Sequence, residues 1–506
     1  MAGAENELKG PDLAAGIPLG DIPDGGSLLG HAGGEPVLLA RQGDELFAVG
    51  ATCTHYSGPL AEGLIVGDEV RCPWHHACFS LRTGEALRAP ALNPIPCYDL
   101  VRDGAQVKVG ARKAPAAPPV AASGPDKVVI VGGGAAGEAC AEMLRRHGHR
   151  GSITILSDDK APPVDRPNLS KDYLAGTAPE EWIPLRPPEF FAEHEIDVVL
   201  GVAVERIDAK SRRVHGGGRD WPYDTLLLAT GAEPIRLAVP GADGPGVHLL
   251  RTLEDSRALI AAAREAKRAV VIGGSFIALE VSAALRARGV AVDVVAPEAL
   301  PLERVLGRAL GHFVKSLHED KGVRFHLGRR PTAIDGGSVT LDDGTVLGAD
   351  LVVMGVGVKP RIDLARTAGC QVDVHGGGVH VDDHMRTSVH GIFAAGDIAG
   401  WVDGRGERRR VEHWAVAQRQ GQVAARAMLG QEARFDSAPF FWSVHYDVTI
   451  AYVGWADPVR SDIVVEGDFA ARDAKVTYSR DGRVRAVATV FRDLDSLKAE
   501  LELERG

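Results

Sequence analysis

Hydrophobic and polar positions along the chain change period twice. Up to about residue 110, short apolar runs such as Val37-Leu38-Leu39 and Leu46-Phe47-Ala48-Val49 alternate with turn dipeptides, Gly67-Asp68 and Asp103-Gly104, which predicts a small all-β domain. Ala111 to Gly124 is too rich in proline and alanine to pack as strand or helix and reads as a semi-extended linker. Then Lys127-Val128-Val129-Ile130-Val131, a fully apolar strand, runs through a glycine turn into a helix, Glu138 to Arg146, and a second strand, Ser152 to Leu156. The same unit recurs from Arg268-Ala269-Val270-Val271-Ile272. The last seventy or so residues return to strands at Thr449 to Val453, Ile463 to Glu466, Lys475 to Ser479 and Val484 to Phe491, with Asp481-Gly482 as a hairpin turn. An amphipathic helix over Asp495 to Glu504 closes the chain. The expected fold class is multidomain: a small all-β domain, two Rossmann-like α/β domains and a C-terminal α+β domain.

Composition sets the outer limits. At 506 residues, 45% hydrophobic and 25% charged, the chain has room for three or four domains with proper cores. A net charge of −11 argues against nucleic acid as a partner, Arg408-Arg409-Arg410 being a small local exception. The start, Met1-Ala2-Gly3-Ala4-Glu5-Asn6-Glu7, has neither a basic nor an apolar leader region, and no apolar run reaches the length of a membrane span. A cytoplasmic protein with no membrane partner, monomeric or homodimeric, is expected.

The candidate chemistry begins with Cys53-Thr54-His55 and, after sixteen intervening residues, Cys72-Pro73-Trp74-His75. Two such pairs can hold a [2Fe–2S] cluster asymmetrically, thiolates of Cys53 and Cys72 on one iron and imidazoles of His55 and His75 on the other, the ligand set of a Rieske centre. A Cys2His2 zinc site usually runs two cysteines and then two histidines, so the order here favours iron–sulfur. Cys78, Cys97, Cys140 and Cys370 fit no second ligand spacing and read as packed thiols. With Tyr56-Ser57-Gly58-Pro59-Leu60, His76-Ala77, Phe79, Thr83-Gly84 and Pro90-Ala91 included, the segment resembles Rieske-type ferredoxins. Gly58 and Trp74 stand near where respiratory Rieske proteins carry an extra disulfide, and Ala77 and Phe79 replace their hydroxyl donors to the cluster. Fewer donors to the sulfurs imply a potential toward the low end of the Rieske range.

Gly132-Gly133-Gly134-Ala135-Ala136-Gly137, between strand and helix, is the dinucleotide fingerprint in its required context. Gly132, Gly134, Ala136 and Gly137 allow a pyrophosphate to approach the helix N-terminus, and Asp158 stands where an acid takes ribose hydroxyls. The second copy, Gly273-Gly274-Ser275-Phe276-Ile277-Ala278-Leu279-Glu280, is degenerate but small enough at Ser275 and Ala278 for the turn. Glu298 is assigned to its ribose, while Arg304 nearby keeps NADPH open beside NADH.

Thr230-Gly231 in Thr225 to Pro234, Gly357 in Gly355 to Pro360, and Asp397 closing Gly391 to Asp397 resemble pyridine nucleotide-disulfide-type flavoproteins. The resemblance implies FAD in the first Rossmann unit, NAD(P)H in the inserted second, and Asp397 on the ribityl chain. It divides the chain into a Rieske domain at 1–112, a linker at 113–125, FAD-binding parts at 126–250 and 380–432, an NAD(P)H domain at 251–379 and a C-terminal domain at 433–506. No redox cysteine pair follows the fingerprint, only Cys140 on the helix, so thiol chemistry is disfavoured.

In its place Val164-Asp165-Arg166-Pro167-Asn168-Leu169-Ser170-Lys171 resembles ferredoxin, rubredoxin and putidaredoxin reductases and apoptosis-inducing factor. That resemblance implies that Arg166 and Lys171 belong to the flavin site and that Lys171 pairs with Glu280 beside the flavin; a purely structural ion pair is the other reading. It matches Asp158, Val204, Arg251 and Trp414 to flavin contacts, with stacking by Trp414 left open because relatives can be aliphatic there. Phe276 matches a ring gating the nicotinamide site or is core. Trp442, in Pro439-Phe440-Phe441-Trp442-Ser443, borders the flavin or anchors its domain.

The chain is therefore similar to the apoptosis-inducing factor-like ferredoxin reductases with an N-terminal Rieske domain. The implied function is an FAD-dependent NAD(P)H oxidoreductase, NADH favoured, that passes electrons through FAD and its own [2Fe–2S] cluster to an unidentified acceptor protein such as an oxygenase. The alternatives are a redox-responsive signalling flavoprotein and an NADH oxidase.

Overall fold

The computed structural model describes residues 8–114 and 124–505. Most of the proline- and alanine-rich linker, residues 115–123, lies outside the described residues. The chain forms two compact units: residues up to Pro119 together with Arg492–Arg505, and Val120–Phe491.

The first unit is all-β apart from its last element. Three antiparallel sheets are built from Ser27–Ala32, Glu35–Gln42 and Glu45–Gly50, from Leu64–Val66, Glu69–Arg71, Cys78–Ser80 and Ala86–Arg88, and from Ile17–Pro18, Tyr98–Asp103 and Gln106–Arg112. Apolar residues of the first two sheets meet in one core, with Leu38, Val49, Val70 and Phe79 all buried and Leu60, from the short helical turn between the sheets, among them. The C-terminal helix, Asp493–Arg505, belongs to this unit. The sequence reading kept that helix with the domain beginning at residue 433; its contacts place it elsewhere. Arg71 Nη1 lies 3.3 Å from Glu500 and 2.9 Å from Glu504, and Arg88 Nη1 lies 2.7 Å from Glu504. Glu500 is fully buried, so the helix position is fixed by charges that have lost their water and need each other.

The second unit holds two Rossmann-like layers. In the first, the parallel order is Ile196–Val199, Ser152–Leu156, Lys127–Val131, Thr225–Leu228, Ile392–Ala394. In the second it is Val247–His248, Leu351–Met354, Arg268–Ile272, Ala291–Ala296, Arg324–Leu327. Strand Ile392–Ala394, late in sequence, pairs with Thr225–Leu228, so the second layer is an insertion into the first. Each layer carries a three-stranded antiparallel sheet, Val204–Asp208 to Arg219–Pro222 and Pro331–Asp335 to Val346–Gly348. The nucleotide helix, Ala135–Arg146, packs on Trp414–Met428 so closely that a Cβ at Gly421 would fall 2.2 Å from the Ala136 carbonyl oxygen. A five-stranded antiparallel sheet, in the order Phe440–His445, Val448–Gly454, Arg483–Val490, Asp473–Arg480, Asp462–Asp468, follows. Its turn at Asp481 (φ 54°) and Gly482 (φ 70°) has both central residues left-handed, as a tight hairpin needs.

Replacing the buried Arg71 by methionine leaves Glu500 with less counter-charge. The expected loss is about 3 kcal/mol in the stability of the first unit, measured as a lower denaturation midpoint.

Candidate cofactor sites

In the first unit, Cys53 and Cys72 open two loops of the same construction. Cys53 N–H donates to the Gly58 carbonyl (2.9 Å) and Ser57 N–H to the Cys53 carbonyl (3.1 Å); Cys72 N–H donates to Ala77 (2.8 Å) and His76 N–H to Cys72 (3.1 Å). The fifth residue of each loop, Ser57 or His76, is left-handed at φ 59°. The repeat brings like ligands together: the two thiols hydrogen-bond each other, and His55 Nδ1 lies 3.2 Å from His75 Nδ1. The proton shared between the thiols lowers Cys53 and raises Cys72 from the ordinary thiol range. Burial pushes His55 down to about 3, which leaves its lone pair available. Two nitrogens about 2.1 Å from one metal ion at a tetrahedral angle stand ~3.4 Å apart, so the imidazole pair fits a common metal atom. Among the described residues no three His, Cys, Asp or Glu side chains converge on one ion, as a mononuclear zinc would require. A cysteine pair and a histidine pair, each serving its own iron, fit a binuclear cluster better.

The cysteines are 2% and 1% exposed while both histidines are only half-buried, with the exposed Tyr56 stacked on His55 at 3.9 Å. Gly58 keeps the loops in contact, since a Cβ there would lie 2.6 Å from Cys72 Sγ and 3.4 Å from the Trp74 ring.

In the second unit a cavity of about 430 Å³ opens along the first nucleotide turn. Gly132, Gly134, Ala136, Asp158, Arg166, Lys171, Thr230, Gly231, Arg251, Phe276, Glu280, Asp397, Trp414 and Trp442 line it. Gly132 has φ 112°, and a side chain there would strike the Ala229 carbonyl; Gly137 lies under the turn, where a Cβ would be 2.0 Å from the Gly132 carbonyl oxygen. Arg166 bridges to Asp159 at 2.8 Å and Arg251 to Asp397 at 2.8 Å. The small residues at the mouth of the helix and the cations along the wall make a cradle suited to a dinucleotide's pyrophosphate.

Several residues that the sequence reading did not assign also line the cavity. Arg361 reaches Asp158 at 2.8 Å, Phe441 meets Phe276 edge to face at 4.8 Å, and the half-buried His413 lies 4.6 Å from Phe441, ring centre to ring centre, and is held down to about 4 by loss of solvent around its ring. Their only sequence signal was adjacency to assigned motifs, as with Pro360, Trp442 and Trp414. Val204 does not line the cavity: it packs on the core of the first layer, at a register irregularity between Val204 and Arg206.

Gly273, Gly274 and Ser275 form the corresponding turn of the inserted layer, and Glu298 follows its strand Ala291–Ala296. Gly273 is left-handed at φ 118°, and Gly274 packs against Ala296 and Pro301. Ser275 caps helix Phe276–Ala287, its hydroxyl accepting from Ala278 N–H and donating to the Gly355 carbonyl at 2.7 Å. Gly357, at φ 108°, accepts from Ile235 N–H. Glu298 faces Arg304 at 3.6 Å.

Fold and site together define an FAD-dependent NAD(P)H oxidoreductase with an attached iron–sulfur domain. The family model for pyridine nucleotide-disulphide oxidoreductases matches residues 126–421, and that for the Rieske [2Fe-2S] domain matches residues 17–99. The chain belongs to the pyridine nucleotide-disulphide oxidoreductase family, in its ferredoxin reductase branch. It is 33% identical to human apoptosis-inducing factor 3 over 90% of this chain and 78% of that one. It is 36% identical to the ferredoxin–NAD(+) reductase component of the anthranilate 1,2-dioxygenase system of Burkholderia cepacia, over 72% of this chain and 91% of that one. Among solved structures, that of the covalent putidaredoxin reductase–putidaredoxin complex matches with a TM-score of 0.72 and 34% identity, covering 76% of this chain and 94% of that one.

Gly58→Ala should reduce cluster content while leaving FAD content unchanged, because the added methyl meets a ligand sulfur and the nucleotide cavity lies in the other unit. Iron and flavin assays on one preparation measure both.

Proposed function

We propose that the chain is a ferredoxin reductase fused to its own Rieske ferredoxin, passing electrons from NADH through FAD and the [2Fe–2S] cluster to a separate acceptor protein. The observation that carries this reading is the coexistence of a binuclear ligand set and a dinucleotide cavity in one chain whose redox-thiol position is empty. FAD supplies the conversion of a two-electron donor to one-electron steps, and the cluster supplies a one-electron carrier.

The residues then divide the labour. Gly132, Gly134 and Ala136 receive the pyrophosphate, with Gly137 keeping the turn tight, Asp158 takes the ribose and Asp397 the ribityl chain; Thr230, Gly231, Arg166 and Arg251 complete the cradle. Lys171, 2.8 Å from Glu280, places a cation at the flavin site that favours negative charge there. Phe276, Trp414 and Trp442 form aromatic walls that exclude water. Glu298, at the end of the second strand of the inserted layer, repels a 2′-phosphate and favours NADH over NADPH. Cys53, Cys72, His55 and His75 hold the cluster, with the half-buried imidazoles offering the nearest exit to a partner. Covalent fusion keeps the effective concentration of the ferredoxin high without new contacts. Resemblance to the anthranilate dioxygenase reductase component points to an oxygenase as the class of acceptor. Among the described residues no helix is long and apolar enough to cross a membrane.

Anaerobic NADH titration with optical and low-temperature EPR spectra tests the reading. Flavin bleaching accompanied by the low-average-g signal of a two-histidine [2Fe–2S] centre is expected. Bleaching with a silent cluster would refute the relay. In a second test, Glu298→Ala should raise the KM for NADH about tenfold or more, the loss of one hydrogen bond to a charged group, with kcat little changed.

A further inference from the structure

Glu280 is the inner end of a hydrogen-bonded chain that leaves the cavity through three further elements. Its Oε2 accepts from Lys171 Nζ (2.8 Å) and Ser170 Oγ (2.6 Å), and its Oε1 accepts from Ser443 Oγ (2.6 Å). Ser443 Oγ lies 3.2 Å from His445 Nε2, His445 Nδ1 3.2 Å from His318 Nε2, and His318 Nδ1 3.1 Å from the Tyr446 hydroxyl. Ser443 is 1% exposed and both histidines 0%, whereas Tyr446 is half-buried in the turn after strand Phe440–His445, with Lys321 Nζ 5.8 Å from its ring centroid.

Each member from Ser443 outward can both give and take a proton. Burial, with the charge of Lys171 added, pushes His445 down to about 3, and burial with His445 beside it takes His318 well below the ordinary imidazole range, so both rings are neutral. A neutral imidazole has one donor and one acceptor nitrogen, which fixes the polarity of the whole chain once its end is fixed. With Glu280 ionised, Ser443 donates to it, His445 Nε2–H to Ser443, His318 Nε2–H to His445 and the Tyr446 hydroxyl to His318. With Glu280 protonated, every hydrogen can sit on the other partner. The two patterns differ by the passage of one proton between Glu280 and the Tyr446 end.

Such a passage has work to do if the proposed function holds, and the inference rests on that reading. NADH delivers a hydride, two electrons with one proton, while two one-electron acceptors remove electrons alone: NADH + 2 acceptor(oxidised) gives NAD⁺ + H⁺ + 2 acceptor(reduced). One proton per NADH must therefore leave the aromatic-walled site. We propose that Ser443, His445, His318 and Tyr446 form its path from the Lys171–Glu280 pair to solvent. The four act as proton-transfer residues between a cofactor-side carboxylate and the surface, each hop followed by reorientation of the hydroxyl or exchange of the imidazole tautomer.

The test is stopped-flow on the full-length holoenzyme, reduced anaerobically with one equivalent of NADH and mixed with ferricyanide, a one-electron oxidant, in weak buffer containing a pH-indicator dye. Flavin absorbance and dye colour are followed together in H2O and D2O. The wild type should release its proton in step with flavin oxidation. His445→Gln, which fills similar space and hydrogen-bonds but cannot take up a proton, should delay the dye signal at least tenfold and raise the solvent isotope effect. His445→Ala should show the same delay, reversed by added imidazole, and Tyr446→Phe should delay release from its peripheral position even if a core variant folds poorly. A dye signal in step with oxidation in His445→Gln and Tyr446→Phe alike would overturn the path, the proton then leaving by the cavity mouth. If NADH fails to bleach the wild-type flavin, the proposed function falls, and the need for a path falls with it.

Discussion

The second unit is organised around one buried carboxylate. Glu280 is 4% exposed, and an ion so placed is tolerable only when its oxygens are fully engaged. Its partners come from the motif preceding helix Asp172–Ala175 and from the first strand of the C-terminal sheet, while Glu280 itself rides on the helix of the inserted layer. Removing it would leave Lys171 and two hydroxyls short of an acceptor at once. The same residue thus joins three parts of the chain and brings Lys171 to the wall of the cavity.

The first unit solves a different problem with duplicated means. A cluster needs four side chains held rigidly by a backbone that cannot rely on the cluster for every hydrogen bond. Each ligand loop closes on itself, with the cysteine N–H and carbonyl both satisfied inside it, and the left-handed residue turns the chain back. Cysteine and histidine, two positions apart in the first loop and three in the second, then come from matching parts of the loops, so thiol faces thiol and imidazole faces imidazole. A thiol pair on one side and an imidazole pair on the other follow from the matching hydrogen bonds of the two loops.

These features were legible in sequence to the extent that they are local. The Cys-His pairs, the glycine turns and the lysine motif each occupy fewer than ten residues, and their spacing carries the geometry. The Lys171–Glu280 contact was reached through family resemblance, 109 residues apart. The continuation to Ser443, His445 and His318 has no such marker, because the partners are 163 and 127 residues apart and a buried histidine has no periodicity of its own. The last helix was misplaced for the same reason: Arg71 and Glu500 are separated by 429 residues, and amphipathicity says that a face is covered, not by what. Val204 lies beside a register shift in its hairpin and packs on the core of the first layer, a placement that the motif it was matched by does not state.

Membership of the last helix in the first unit changes what fusion means here. The chain leaves that unit after Pro119 and re-enters it at Arg492, so the cluster-bearing unit is joined to the flavin-bearing unit by two covalent connections rather than one. The second connection is short: strand Arg483–Val490 ends one residue before the boundary and helix Asp493–Arg505 begins one residue after it. Its hold depends on the helix remaining on the first unit, and that rests on Arg71 and Arg88 against Glu500 and Glu504. The same ionic contacts that complete a small β domain therefore also hold in place the point at which the chain returns to it.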